Sequence, residues 1–166
     1  MKKLQQVMYM IMIVPFLLSA CSSESTEKKE DIFQYNHSYV GDAGAVGNIM
    51  RLLPVPSGEQ VSGLELETKE EPYGVIVNYS YKETSDNNER NNQELALFNA
   101  TFLLSLLQNA DWVQFNFMEQ PIKVTLEELT DLYGTNIREV ENEEELTKLI
   151  QTHLEDEQSV ESFFSN

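Results

Sequence analysis

The sequence predicts an α+β fold, with an antiparallel sheet of about four strands in two hairpins packed against one central apolar helix. Three observations predict it. Two pairs of short segments, 61–68 with 73–82 and 111–117 with 122–124, alternate with the period of two that marks half-buried strands. Between the pairs, E-L-A-L-F-N-A-T-F-L-L-S-L-L-Q over 94–108 is apolar around most of its circumference, as a helix buried on most sides must be. The connections are short, which favours antiparallel neighbours. The expected element order is α-β-β-α-β-β-α-α.

The first twenty residues stand apart. Lys2 and Lys3 precede an apolar run from Val7 to Ala20, the length of a signal-peptide core and short of the roughly 20 residues of a bilayer span. Pro15 interrupts it further. Leu18-Ser19-Ala20-Cys21 has the form of a bacterial lipobox: small residues fit a narrow cleavage site, and the thiol takes the lipid. Residues 1–20 are therefore expected to be a lipoprotein signal peptide and Cys21 the lipidation site. Residues 21–31, polar after the cysteine, form a tether. Residues 32–166 then make a single extracytoplasmic domain. Cys21 is the chain's one cysteine, so that domain has to be stabilised by its core and not by disulfides.

The domain opens with Gly41, Gly44 and Gly47. Their G-x-x-G-x-x-G spacing matches neither a dinucleotide loop nor a P-loop, since no strong strand leads in and no Lys-Ser/Thr follows. Val46, Ile49, Met50 and Leu53 instead draw an amphipathic helix, with Asp42 as N-cap and Pro54 as stop. Two glycines inside a helix cost about 1 kcal/mol each against alanine, and close packing on another backbone is the expected reason for them. The strand 73–82 places Tyr73, Val75, Val77, Tyr79 and Tyr81 on one face, and 69–72 turns the chain between the first two strands. That Tyr73, Tyr79, Tyr81 ladder suits a core face or a binding surface. Residues 83–93 are a polar loop. Asn109 is expected to end the central helix, and Gln120-Pro121 to turn the second hairpin. Thr125-Leu126-Glu127-Glu128 has the form of a capping box, closed by Gly134. Asn142 opens a last helix whose first-turn glutamates complement its dipole, with Phe163-Phe164 packing back or fraying beyond it.

Charge narrows the function. Eleven basic and 28 acidic residues give a net −17, which repels nucleic acid and anionic headgroups. Membrane attachment is expected through the lipid on Cys21, and an envelope protein is the expected partner. No reactive constellation is present. His37 and His153 lie far apart, no serine sits in G-x-S-x-G, and Asp86-Asn87-Asn88 lacks the rest of a calcium loop. Glu127/Glu128 and Glu143–Glu145 read as solvated helix faces. No catalytic residue, metal ligand or cofactor is expected, and the sequence marks no particular ligand-binding residues.

Tyr39-Val40-Gly41-Asp42, Val46-Gly47-Asn48-Ile49 and Leu52-Leu53-Pro54, followed by Tyr73-Gly74 and Asn109-Ala110-Asp111-Trp112-Val113-Gln114-Phe115, resemble a family of unknown function. Its domain is found in lipoproteins of Bacillus-like Gram-positive bacteria and at the outer end of some membrane sensor metalloproteases. The resemblance covers about residues 35–135, and Ala45 stands where the family would place a polar residue. It implies an extracytoplasmic sensory or accessory domain, with no reaction assigned. The expected function is a non-catalytic, membrane-anchored protein-binding module facing the extracytoplasmic side. The alternative is a small-ligand or peptide receptor working with a transporter or sensor.

Overall fold

The computed structural model describes residues 30–82 and 92–165. The expected signal peptide, Cys21, most of the tether and most of the polar loop lie outside the described residues. A one-turn 3-10 segment, Ile32–Tyr35, is capped by the Asp31 carboxylate and leads into helix α1 (Ala43–Leu52). There follow β1 (Glu59–Glu67), β2 (Gly74–Tyr81), α2 (Asn92–Leu106), β3 (Trp112–Asn116) and β4 (Pro121–Thr125). Helices α3 (Leu126–Tyr133), α4 (Glu143–Leu154) and α5 (Glu157–Phe164) complete the chain, one helix more than expected, and α5 takes up Phe163 and Phe164. The class is α+β.

The sheet runs β1-β2-β3-β4 and is mixed, not antiparallel. Both hairpins form, but β2 and β3 pair in parallel, with Val75 opposite Val113 and Val77 opposite Phe115. The reason lies in α2. Its 15 residues span about 22 Å, nearly the length of a strand, so the chain leaves the top of β2 and re-enters at its foot. What separates the hairpins is a crossover, and a crossover returns the chain parallel.

Local chemistry sets the helix ends. Asp42 accepts from Ala45 N–H at 3.0 Å. The Thr125–Glu128 capping box is present in both directions, and Gly134 closes α3 in the left-handed conformation at φ 62°. Asn142 caps α4. The mostly apolar α2 buries Leu97, Leu103, Leu104 and Leu106 completely, each contributing about 2 kcal/mol. Its buried polar residues serve as ties. Thr101 meets the Tyr133 hydroxyl at 2.9 Å, Ser105 donates to the Ile137 carbonyl, and Asn99 donates to the Pro54 carbonyl.

Helix α2 lies on the sheet face that carries Val75, Val77, Val113, Phe115, Ile122 and Val124, and α4 and α5 pack against α2. The opposite sheet face is half-buried or exposed. There Gln114 donates to Asn116, Asn116 to Asn78 and Asn78 to Glu65, at 2.7 to 2.8 Å.

Candidate functional site

The residues that carried the family resemblance meet in space, and what they do there is hold the chain together. The Val40 N–H donates to Asn109 Oδ1 at 2.8 Å, and Gln108 bonds the carbonyls of Ser38 and His37. Asn109 thus lies beyond the end of α2, tying the α2–β3 loop to the segment before α1. The Asp111 carboxylate accepts from Tyr73 N–H at 2.8 Å. The Trp112 indole lies over Gly74, where a Cβ would stand 2.2 Å from its ring, so this position requires glycine. Its N–H donates to the Pro72 carbonyl, and Lys123 covers the ring at 4.2 Å from the centroid. Behind this seam Arg138 donates to the carbonyls of Leu104, Leu107 and Ala110, closing the C-terminus of α2. Burial holds its guanidinium below the usual arginine range, and nearby Asp111 works against that shift.

The tyrosine ladder divides. Tyr73 is half-buried, Tyr79 is 5% exposed and stacks on Phe117 at 5.0 Å, and Tyr81 is 51% exposed. At its buried rung three side chains leave polar atoms without partners: Glu59 Oε2, the Tyr79 hydroxyl and Asn99 Oδ1. Glu59, Tyr79 and Asn99 are 6%, 5% and 0% exposed. Burial pushes the Tyr79 hydroxyl up, Asn99 acts against this and Glu59 with it. Burial likewise raises the Glu59 carboxyl, the Met118 backbone N–H lowers it and Glu119 raises it.

The second feature is a groove of about 300 Å³ between α1 and β1. Gly47 and Met50 of α1, Val55, and Val61 and Leu64 of β1 form its apolar lining, with Gln60 beside them. Arg51 and Lys82 stand at its rim, and none of its described lining residues is acidic. Arg51 is additionally paired with Glu30, whose other oxygen accepts from Tyr35. The groove explains Gly47 better than helix packing does. A Cβ at Gly47 would meet nothing within 4 Å, and one at Gly44 would meet the Asp42 carboxylate alone, so neither glycine serves close approach to another backbone. At position 47 the missing side chain leaves space.

Other expected positions are scattered. His37 sits exposed in a left-handed turn before α1. His153 lies on α4, edge-on to Tyr133 at 4.8 Å, with Nδ1 3.0 Å from the Leu149 carbonyl. Glu127 and Glu128 belong to α3, and Glu143–Glu145 to the first turn of α4. Among the described residues no group of three or more His, Cys, Asp or Glu side chains is placed to hold a metal ion. Among the same residues no helix is long and apolar enough to cross a membrane. Sequence reasoning missed Glu59, Asn99 and Arg138. The first two left a signal: Glu59 shares the core-facing parity of Val61, and Asn99 interrupts an apolar helix.

A model of a domain of unknown function, DUF4825, matches residues 32–128, more than half of the chain. The match begins at the 3-10 segment and ends in the first turn of α3. Comparison with curated proteins and with solved structures gives no match.

Proposed function

The chain belongs to the family of the domain of unknown function DUF4825, and we propose that it is a lipid-anchored, non-catalytic binding module on the outer face of the cytoplasmic membrane. The occupant of its α1–β1 groove is an extended segment of a partner protein that carries apolar and acidic side chains. One observation carries this reading. On a chain of net charge −17, an apolar hollow is rimmed by Lys82 and by Arg51, the latter paired with Glu30, and none of its described lining residues is acidic. Such a rim attracts acidic groups while the surrounding field excludes most anions, a local complementarity that selects partners more than it strengthens binding. The anchor rests on Leu18-Ser19-Ala20-Cys21 and the apolar run before it. The family resemblance supports an extracytoplasmic Gram-positive setting.

Two experiments test the two halves. Cells fed a clickable palmitate analogue should label the wild-type chain and not Cys21→Ser. Equal labelling of both removes the anchor. Separately, a fluorescent peptide of alternating leucine and aspartate should bind the full chain, more weakly as salt rises, and Lys82→Glu should weaken it by about tenfold or more, the worth of one partly desolvated charge pair. Binding indifferent to salt and to Lys82→Glu would refute the groove as the docking surface.

A further inference from the structure

We propose that the partner segment in the α1–β1 groove is held by strand addition, as a fifth strand on the outer edge of β1, a mode that rests on the binding reading above. β1 is the terminal strand of the β1-β2-β3-β4 sheet, and among the described residues its sheet partner is β2 alone. In an antiparallel pair alternate residues turn their N–H and C=O groups away from the partner strand. The outer edge of β1 therefore presents a row of backbone donors and acceptors, the template that an extended chain pairs with.

The side chains of β1 point to the same occupant. Val61 lies opposite Tyr79, Leu64 opposite Val77 and Leu66 opposite Val75, so all three share the sheet face that α2 covers. Val75, Val77 and Tyr79 are buried, whereas Val61, Leu64 and Leu66 are half-buried. The apolar layer stops one strand short of closure, and the groove is where it stops: Val61 and Leu64 form one wall, Gly47 and Met50 of α1 the other. A strand laid beside β1, about 4.8 Å away, sets every second side chain on that face, between β1 and α1. Gly47 leaves room for them, since nothing lies within 4 Å of where its Cβ would stand. Backbone pairing then supplies affinity, and the groove selects the alternate side chains.

Charge places the partner along the edge. Lys82 stands at the Glu59 end of β1, where its backbone N–H donates to the Gly58 carbonyl. Glu65 and Glu67 are exposed toward the other end, on the face opposite Leu64 and Leu66. Acidic side chains of the partner belong at the Lys82 end, and those beside Glu65 and Glu67 are neutral or basic, because like charges side by side destabilise a strand pair. On a chain of net charge −17 the same two glutamates guard the edge against a second copy. The register of β1 on β2 shifts between Val61 and Gly63, which leaves Gly63–Glu67 as the regular length on which an added strand pairs.

The test uses the full chain and the leucine–aspartate peptide in two further versions, one N-methylated at every leucine and the other at every aspartate. In a paired strand the N–H groups of one set face β1 and those of the other face away. One version should therefore lose about tenfold or more in affinity, while the other stays within a few-fold of the parent peptide. Equal effects, with the parent bound, overturn strand addition and leave the groove reading in place; no binding of the parent overturns both. Amide exchange at alternate residues of Gly63–Glu67 should slow when the parent peptide binds, and unchanged exchange there overturns the proposal. Glu67→Lys should tighten the parent peptide several-fold more than Glu161→Lys on α5, whereas equal effects would take the peptide off this end of β1 and overturn it.

Discussion

Replacing Gly47 by alanine puts two readings of one residue in opposition. Gly47 lies in the interior of α1, where glycine is about 1 kcal/mol less favourable than alanine because the chain surrenders more freedom to become helical. That gain is normally offset where the glycine is needed for close packing. Here a Cβ would find nothing within 4 Å, so no collision subtracts from it. The groove is open, and one methyl adds little burial. Gly47→Ala should therefore stabilise the domain by about 0.5–1 kcal/mol, roughly 2–5 °C in melting temperature for a chain of this size. Urea unfolding should show a higher midpoint at unchanged slope. Gly47→Leu should also fold and should abolish binding of the leucine–aspartate peptide, because its side chain occupies the space the peptide needs. Natural sequences often carry a glycine where alanine would be more stable, so it is the loss of binding in Gly47→Leu, and not the stability gain alone, that assigns Gly47 to the groove. Loss of stability in Gly47→Ala beyond about 0.5 kcal/mol would mean that α1 is packed at this point, and the groove with it would be refuted.

Arg138→Met removes the donors from three carbonyls at the end of α2. Bonds to charged groups are each worth about 1.5–3 kcal/mol, and the half-exposed guanidinium discounts the sum, so a loss of about 2–4 kcal/mol is expected in urea unfolding. A loss under about 1 kcal/mol would show that solvent or the helix end satisfies those carbonyls without Arg138. Burial holds the Tyr133 hydroxyl up at about 12, with Thr101 acting against the shift. Its stability contribution is whole below the unfolded value near 10 and fades as pH rises toward 12, so alkaline unfolding should fall in that window. In Tyr133→Phe, followed by circular dichroism, the alkaline midpoint should move upward, since one buried phenol no longer ionises. An unchanged midpoint would assign the transition elsewhere.

What the sequence disclosed was local. Asp42, Thr125 with Glu128, Gly134 and Asn142 act on backbone groups within four residues of themselves, and each does in the structure what its type and position imply. The strands were legible from alternation, down to the shared face of Val75, Val77 and Tyr79. The parallel join of β2 to β3 was not legible, because short loops favour antiparallel pairing whereas here the central helix itself is the connection. Arg138 was invisible for a related reason: its acceptors lie 28 to 34 residues upstream, and no periodicity relates them. Gly44 and Gly47 lie within the helix that the apolar spacing implies, but they do not serve close backbone packing, and a groove made by an absent side chain has no signature in a single sequence. The tyrosines illustrate both sides. Their common face could be read, whereas the burial of Tyr79 and the exposure of Tyr81 depend on where the covering elements stop.

The proposed anchor and the described fold together constrain the partner. Glu30 is fixed to Arg51 and Asp31 caps the first turn, and in the sequence eight residues, Ser22 to Lys29, separate Glu30 from Cys21. Eight residues of any conformation reach at most about 30 Å. With the proposed anchor, the domain would meet what lies within roughly its own diameter of the bilayer. Confinement to that layer raises the effective concentration of any partner held in the same membrane, so a small groove of modest intrinsic affinity is enough to keep the two together. With the proposed anchor, repulsion from anionic headgroups would hold a domain of this negative charge off the surface and keep the groove between α1 and β1 open to a neighbour, where a basic domain would lie down and bury it. On that proposal the acidic surface and the groove would be parts of one arrangement: the first would set the distance from the membrane, and the second would select what is bound at that distance.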